Sequence, residues 1–167
     1  MSHPPPPPPI PHGQFPGISV AMLMGNMNRG GVEAVVMNYI RFLTVGDNPA
    51  IDVILHEGSS FPQRRELEAL KVNIRLIPSY FSPLAYHRAL FALFARQRYT
   101  IVHAHISTMN LFPLLAARRA GVPVRICHSH STAHWEEGMK TLCKYLLRIP
   151  ARAYATDYFA CGEYPGR

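Results

Sequence analysis

Short apolar runs alternate with segments of helical periodicity along most of this chain, and this alternation restricts the fold more than any other feature. An uninterrupted apolar run suits a strand that is buried on both faces. Strands that alternate with helices form right-handed βαβ units and therefore a parallel sheet. The sequence predicts one α/β domain, with a doubly wound, mostly parallel, Rossmann-like sheet in three layers. The predicted strands are 18–24, 51–56, 72–77, 100–104, 122–127 and 158–161, and the predicted helices are 32–43, 63–70, 84–98, 111–120 and roughly 136–154.

Residues 1–17 form a separate segment that is rich in proline. The residues from Pro4 to Pro9 lack backbone N–H donors, and such a run favours the polyproline II conformation. We expect a disordered leader here, with recognition by a proline-binding partner as the alternative. The predicted domain then occupies residues 18–167.

The chain carries a formal charge of +7, and 14 of its 17 basic residues are arginine. This excess favours anionic partners such as phosphates or a membrane surface, with an ordinary solvated basic surface as the alternative. The basic residues are dispersed, so no nucleic-acid partner is expected. No apolar run reaches the roughly 18 residues of a spanning helix, and the amino terminus lacks a signal-peptide pattern.

Three cysteines, Cys127, Cys143 and Cys161, are too widely spaced for a CxxC pair or a zinc pattern. Cys127 and Cys161 lie in apolar runs, so we expect both to be buried free thiols. Free thiols are typical of a reducing compartment, which favours a cytoplasmic location.

The segment Gly25–Gly31, called the glycine turn below, joins the first predicted strand to the first predicted helix. Glycine lets the backbone approach a ligand closely, and a helix amino terminus attracts an anion. The turn lacks the GxGxxG dinucleotide fingerprint because residue 27 is Met, and it lacks the Gly-Lys-Ser/Thr of a P-loop because Val32 follows Gly31. It is therefore interpreted as another kind of loop that approaches a phosphate or a sugar, with a plain tight turn as the alternative.

Two pairs of histidines come at the ends of the fourth and fifth predicted strands: His103 with His105, and His128 with His130. Alternate residues of a strand share a face, so the members of a pair are expected to point the same way. A zinc site would require all four rings to converge, and no carboxylate accompanies either pair. We therefore predict no metal. One or two of these imidazoles are interpreted as hydrogen-bonding groups for a polyhydroxylated ligand, with a structural role as the alternative for each.

The helix predicted over residues 84–98 combines aromatic and basic side chains. Leu90, Phe91 and Phe94 are expected to face the sheet while the arginines stay in solvent. Packing against the core explains such a pattern, and peripheral contact with a membrane surface is the alternative.

Four segments together resemble the amino-terminal domain of the family 4 retaining glycosyltransferases, in particular the branch that makes capsular and exopolysaccharides. The segments are MGNMNRGGVEAVVMNYIRFL, IVHAHIS, GVPVRICHSHS and ATDYFACGEYPGR. The resemblance covers about residues 18–167. Its most specific parts are the turn from Asn28 to Glu33 and the His128-Ser-His130 strand end.

This resemblance implies the GT-B architecture, in which two Rossmann-like domains face each other across a cleft. The amino-terminal domain mainly receives the acceptor, and its glycine turn reaches the diphosphate of the donor. The residues that the resemblance implies in binding the donor diphosphate or the acceptor are Asn28, Arg29, Gly30, Gly31, Glu33 and His105.

The implied reaction moves a sugar, with retention, from a nucleotide-sugar donor to a glycan or lipid-linked acceptor in surface polysaccharide synthesis. The implied catalytic residues are His128 and His130, of which one would contact the transferred sugar. No metal and no cofactor are implied, because the leaving diphosphate helps to deprotonate the acceptor hydroxyl. No protein nucleophile is then needed, and the sequence contains no recognisable Ser–His–Asp or Cys–His set.

Members of this family are considerably longer than this chain, and their carboxyl-terminal domain supplies the nucleotide pocket. We therefore expect a truncated enzyme that is inactive alone, cytoplasmic and peripheral to the inner face of the plasma membrane. One alternative is a non-catalytic binding module that pairs with a separately encoded donor domain. Another is a small hydrolase or metal enzyme that uses the histidine pairs.

Overall fold

The computed structural model describes residues 17–27, 30–45, 49–130, 151 and 153–161. The prediction of a helix over roughly 136–154 falls almost wholly outside these residues, as does that of the proline-rich leader. The other predicted helices and strands are all present, and their bounds differ from the prediction by at most two residues. A short 3₁₀ helix at Ser107–Asn110 was not anticipated from the pattern. In chain order the elements are β1 (Ser19–Leu23), α1 (Gly31–Leu43), β2 (Ala50–His56), α2 (Arg64–Ala69), β3 (Asn73–Ile77), α3 (Pro83–Gln97), β4 (Ile101–Ala104), α4 (Leu111–Arg119), β5 (Val124–Ser129) and β6 (Asp157–Ala160).

The six described strands form one parallel sheet in the order β3-β2-β1-β4-β5-β6. The chain moves outward from β1 to β3 and then crosses back to β4, so the strand order reverses between β1 and β4. Ligands of open α/β sheets bind at the carboxyl ends of the strands beside such a reversal. The predicted doubly wound parallel sheet is confirmed. Its reversal lies between the strand that leads into the glycine turn and the strand that carries His103.

Two apolar cores lie on opposite faces of this sheet. Alternate residues of β1 divide between them, because successive side chains of a strand point to opposite faces. Val20 and Met22 pack with α1 and α2, whereas Ala21 and Leu23 pack with α3 and α4. The predicted three-layer arrangement, with helices on both faces, is therefore confirmed.

Helix α3 turns a narrower face to the sheet than its sequence suggests. Tyr86, Leu90 and Phe94 follow one another at steps of four residues, and all three are fully buried. The prediction that Phe91 faces the sheet is wrong, since 41% of its surface is exposed. Phe91 lies about 100° around the helix from Leu90, which places it outside the stripe that the other three share. Neither α3 nor any other described helix is long and apolar enough to span a bilayer.

A buried carboxylate links β2, β3 and the chain just before β4. Asp52 has only 4% of its surface exposed, and the Tyr99 hydroxyl donates to its Oδ2 at 2.6 Å. Arg75 Nε donates to the same oxygen at 2.8 Å, and Asn73 Nδ2 donates to Oδ1 at 2.8 Å. Burial acts to raise the pKa of Asp52, but the three donors outweigh burial and hold this pKa below its ordinary value of 3.8. The charged carboxylate therefore belongs to the folded state at neutral pH.

Removal of the Tyr99 hydroxyl should destabilise the domain. Tyr99→Phe is expected to lower the free energy of unfolding at neutral pH by about 1–2 kcal/mol, because a buried carboxylate loses a donor. Since its pKa is lowered by folding, Asp52 contributes stability above its ordinary pKa and loses it as the pH falls through the folded-state value. The difference between the two proteins should therefore narrow below pH 3.8. Urea unfolding followed by circular dichroism measures both effects.

Tyr86→Phe is the matched control for this substitution. The Tyr86 hydroxyl is buried and has no hydrogen-bond partner among the described residues, so its removal should leave the free energy of unfolding unchanged or raise it. Equal losses in the two variants would show that the hydrogen bond from Tyr99 to Asp52 is not the cause.

Candidate functional site

The glycine turn and both histidine pairs lie at the carboxyl edge of the sheet. The turn follows β1, the first histidine pair lies at the end of β4, and the second lies at the end of β5. These three strands are parallel neighbours. Because parallel neighbours end at the same edge of a sheet, residues from three distant parts of the chain come together there.

Three adjacent strands send side chains to one face at this edge. His103 and His105 come from β4 and the residue after it, and His128 and His130 come from β5 and the residue after that strand. Cys161 directly follows β6. Because alternate residues of a strand share a face, all five side chains point to the side of the sheet that α1 covers. The four imidazoles are called the histidine cluster below.

The rings of the histidine cluster converge. Nε2 of His103 lies 3.0 Å from Nδ1 of His128, and Nδ1 of His105 lies 2.9 Å from Nε2 of His130. The rings of His128 and His130 stack with their centroids 4.2 Å apart. The prediction that each pair points the same way is confirmed. The two pairs also meet each other, which the sequence left open.

Cys161 joins the histidine cluster from the neighbouring strand. Its Sγ lies 3.4 Å from Nε2 of His128 and 3.1 Å from Nδ1 of His130. The prediction of two buried thiols is wrong, because Cys161 is exposed at the end of an edge strand and Cys127 is only half-buried. The sequence contains no recognisable Cys–His set, but the fold brings Cys161 beside His128 and His130, which are 33 and 31 residues away in the chain.

Burial keeps the histidine cluster uncharged at neutral pH. Burial, together with the neighbouring imidazoles, lowers the pKa of His103 to about 3 and that of His128 to about 4. The same causes hold the pKa of His105 well below its ordinary value. Burial also lowers the pKa of His130, although the nearby Glu33 carboxylate acts in the opposite direction. Each neutral ring offers one donor and one acceptor, and the contacts between rings use part of that capacity.

The fifth strand extends two residues beyond its predicted end, to Ser129. His128 therefore lies within the strand and is only 2% exposed, whereas His130 follows the strand and is half-buried. The prediction that both histidines follow the strand is wrong for His128. Of these two residues, His130 is the one that a ligand reaches more easily.

None of the described residues occupies the space in front of Gly31, at the amino terminus of α1. Gly30 is extended, with φ −143° and ψ −177°, and it precedes the first residue of the helix. Gly31 is outside the left-handed region, and no described atom lies within 4 Å of the place that its Cβ would occupy. A Cβ on Gly30 would come within 2.6 Å of the Glu33 carboxylate, which therefore folds over Gly30. Asn28 and Arg29 lie outside the described residues.

Two residues outside the predicted site, Asn110 and Tyr39, hold the histidine cluster in place. Oδ1 of the fully buried Asn110 accepts from the Ile106 N–H at 2.9 Å, and its Nδ2 donates to the His128 carbonyl oxygen at 3.1 Å. Tyr39 of α1 packs against His103, with ring centroids 5.7 Å apart. Asparagine immediately before a helix is typical of an N-cap, so the sequence gives no signal for the bridge from Asn110 to β5.

The groups at this edge suit a ligand with an anionic part and a polyhydroxylated part. Neutral imidazoles both donate and accept hydrogen bonds, as sugar hydroxyls require. The open amino terminus of α1, beside Gly31, favours a phosphate because its first N–H groups have no partner within the helix.

Comparison with known proteins identifies the family of this chain. The sequence-family model of the glycosyl transferase 4-like domain matches residues 16–161. The putative glycosyltransferase EpsF of Bacillus subtilis is 34% identical over 154 residues, which cover 89% of this chain and 40% of EpsF. This chain thus spans about two fifths of the length of that relative.

Crystal structures of HepE from Anabaena share the fold. The complex with UDP and glucose aligns with a TM-score of 0.60 at 16% identity, and the complex with UDP-glucose aligns with a TM-score of 0.63 at 14% identity. Both alignments cover 84% of this chain, and they cover 37% and 36% of HepE respectively. The resemblance to an amino-terminal family 4 glycosyltransferase domain is thereby confirmed, and the chain belongs to the glycosyl transferase 4-like domain family.

Proposed function

We propose that this chain is the acceptor-side domain of a retaining glycosyltransferase, which moves a sugar from a nucleotide-sugar donor to a glycan or lipid-linked acceptor in surface polysaccharide synthesis. The proposal depends on one observation: the open helix terminus at Gly31 and the histidine cluster share one edge of the sheet. A nucleotide sugar carries a diphosphate, which suits the helix terminus, and sugar hydroxyl groups, which suit the histidine cluster.

The relatives support this class of ligand. HepE has been crystallised with UDP and glucose and with UDP-glucose. EpsF is named as a putative glycosyltransferase. The assignment to surface polysaccharides rests on the resemblance of the four sequence segments to that branch of the family.

Each proposed contact uses a group whose environment suits it. The donor diphosphate lies against the first N–H groups of α1, at Gly30 and Gly31, with Asn28 and Arg29 in the same turn. The transferred sugar contacts the half-buried ring of His130. The buried ring of His128 stacks on the His130 ring and holds it in position. Glu33 and His105 complete the set of proposed binding residues. No protein nucleophile, metal or cofactor takes part, because the leaving diphosphate receives the proton of the acceptor hydroxyl.

We propose that the nucleotide is bound by a second domain, which corresponds to a part of EpsF beyond the region that these residues match. These residues cover 40% of EpsF, so we propose that a carboxyl-terminal domain closes the cleft and that the amino-terminal domain alone is inactive. We also propose a cytoplasmic location with peripheral contact at the membrane. The formal charge of +7 and the exposed Phe81 and Leu84 at the start of α3 suit an anionic lipid surface.

A side chain at Gly31 should block transfer. In a fusion of this chain with the donor domain of a family member, Gly31→Val is expected to lower the rate of transfer by about two to three orders of magnitude. The added side chain would fill the open space in which the N–H groups of α1 meet the diphosphate. Transfer of a radiolabelled sugar to the acceptor measures the rate.

The control for this substitution is Ala92→Val, at an exposed position of α3 on the other face of the sheet. It places the same side chain in a helix and should leave transfer nearly unchanged. Thermal unfolding of both fusions checks the fold, and Gly31→Val should alter it little because Gly31 is outside the left-handed region. Full activity of a folded Gly31→Val fusion would show that the glycine turn does not bind the donor.

The chain alone should bind nucleotide sugars weakly, because it provides only the face of the cleft that meets the diphosphate. Isothermal titration calorimetry with UDP- and GDP-sugars is expected to find no Kd tighter than about 1 mM, or about 4 kcal/mol of binding free energy. The fusion provides the positive control and should bind its own donor more tightly. A micromolar Kd for the chain alone would contradict the proposed division between two domains.

A further inference from the structure

We infer that His128, His130 and Cys161 form a binding site for a divalent transition metal ion, and that Zn²⁺ suits this donor set best. Zinc sites with three protein ligands use imidazole nitrogens and thiolates, and water or another group takes the fourth position. The inference does not rest on the proposed function, in which no metal takes part.

The donor atoms have nearly the spacing of a tetrahedral site. Sγ of Cys161 lies 3.4 Å from Nε2 of His128 and 3.1 Å from Nδ1 of His130, and the three donor atoms all lie within 4.8 Å of one another. With metal–nitrogen and metal–sulfur bonds of about 2.0 and 2.3 Å, neighbouring tetrahedral donors are about 3.3–3.6 Å apart. The sulfur therefore has nearly the tetrahedral spacing from both nitrogens, and the two nitrogens lie within 4.8 Å of each other.

The second nitrogen of each ligand ring also has a histidine partner within hydrogen-bond distance. The second nitrogen of His128, Nδ1, lies 3.0 Å from His103, and the second nitrogen of His130, Nε2, lies 2.9 Å from His105. A hydrogen bond to the second nitrogen selects the tautomer that directs a lone pair at the metal, and most metal-binding histidines have such a partner. His103 and His105 thus serve as positioning residues.

A second trio, His103, His105 and His128, also brings its ring nitrogens within 4.8 Å of one another, but it suits an ion less well. All three residues are buried, and none supplies a negative charge to offset the lost hydration of the ion. In the proposed site of His128, His130 and Cys161, called the outer trio below, Cys161 becomes a thiolate when it binds the metal. Cys161 is also exposed, so an ion reaches the outer trio directly from solvent.

Metal binding requires one ring to turn. The planes of the His128 and His130 rings are nearly parallel, at 13°, whereas an ion lies close to the plane of each imidazole that binds it. His130 follows β5 and is half-buried, so its ring is the one expected to rotate. We therefore expect an affinity below that of a preformed structural zinc site.

The sequence predicted no metal site, because no carboxylate accompanies the histidine pairs and because all four rings would have to converge. The rings do converge, and the thiol of Cys161 supplies the anionic ligand that a carboxylate would have supplied. An ion at this site occupies the histidine that is proposed to contact the sugar. Zn²⁺ and the sugar should therefore exclude each other.

The test uses the untagged 167-residue chain after reduction, treatment with EDTA and desalting, with Co²⁺ and Zn²⁺ as probes. Co²⁺ should produce a thiolate-to-metal charge-transfer band and the intense visible bands of tetrahedral coordination, and about one equivalent should saturate them. Zn²⁺ should displace Co²⁺ and remove the bands. Absence of the charge-transfer band, or saturation well below one equivalent, would overturn the inference.

Variants separate this site from adventitious binding. Cys161→Ser should abolish the charge-transfer band and weaken Zn²⁺ binding about tenfold or more, whereas Cys127→Ser, on the opposite face of β5, should retain both. His130→Ala should weaken Zn²⁺ binding without removing the thiolate band, and circular dichroism of the metal-free variants checks the fold. Unchanged Zn²⁺ binding in both Cys161→Ser and His130→Ala would overturn the inference. So would Zn²⁺ binding that is lost only when His103 and His105 are substituted.

Discussion

The parallel pairing of β4 with β5 is the constraint on which the rest of the site depends. In the observed register, His103 lies beside Ile126 and Ala104 lies beside Cys127, so the histidines of both strands point to the same face. A slip of one residue would turn the histidines of one strand to the other face of the sheet. The buried residues around these strands oppose such a slip, because the same slip would turn Val102 out of the core that it shares with α3 and α4 and turn His103 toward that core. Core packing thereby determines the geometry of the site.

Burial gives the histidine cluster its chemical character. Imidazoles in water are partly charged near neutral pH, but rings that are withdrawn from water and placed next to one another favour the neutral form. The buried Nε2 of His105 has no hydrogen-bond partner among the described residues. An unpartnered buried polar atom costs about 1–3 kcal/mol. Such atoms are uncommon in folded proteins, and an unsatisfied group at a functional site is consistent with a role for a ligand or an ion.

The sequence predicted the sheet and its helices well, because the periodicity of apolar residues is a local signal that each segment carries by itself. It failed for Phe91 and Cys161, whose exposure depends on which helix stripe meets the sheet and on what covers an edge strand. The sequence also did not predict that the rings of the histidine cluster converge. That convergence depends on the register of β4 against β5, which is determined by how the strands pack against the helices. The glycine turn was located from its glycines, but the space that the described residues leave in front of Gly31 depends on the packing of the folded chain. The roles assigned to Asn28 and Arg29 stay predictions.

The side chain of Asn110 has a mechanical consequence. Its amide links the loop after β4 to the backbone of His128, and Asn110 immediately precedes Leu111, the first residue of α4. Helix α4 packs on the face of the sheet opposite to the histidine cluster. One amide side chain therefore links the end of β5 to the start of a helix on the opposite face of the sheet, and a displacement of the one would act on the other.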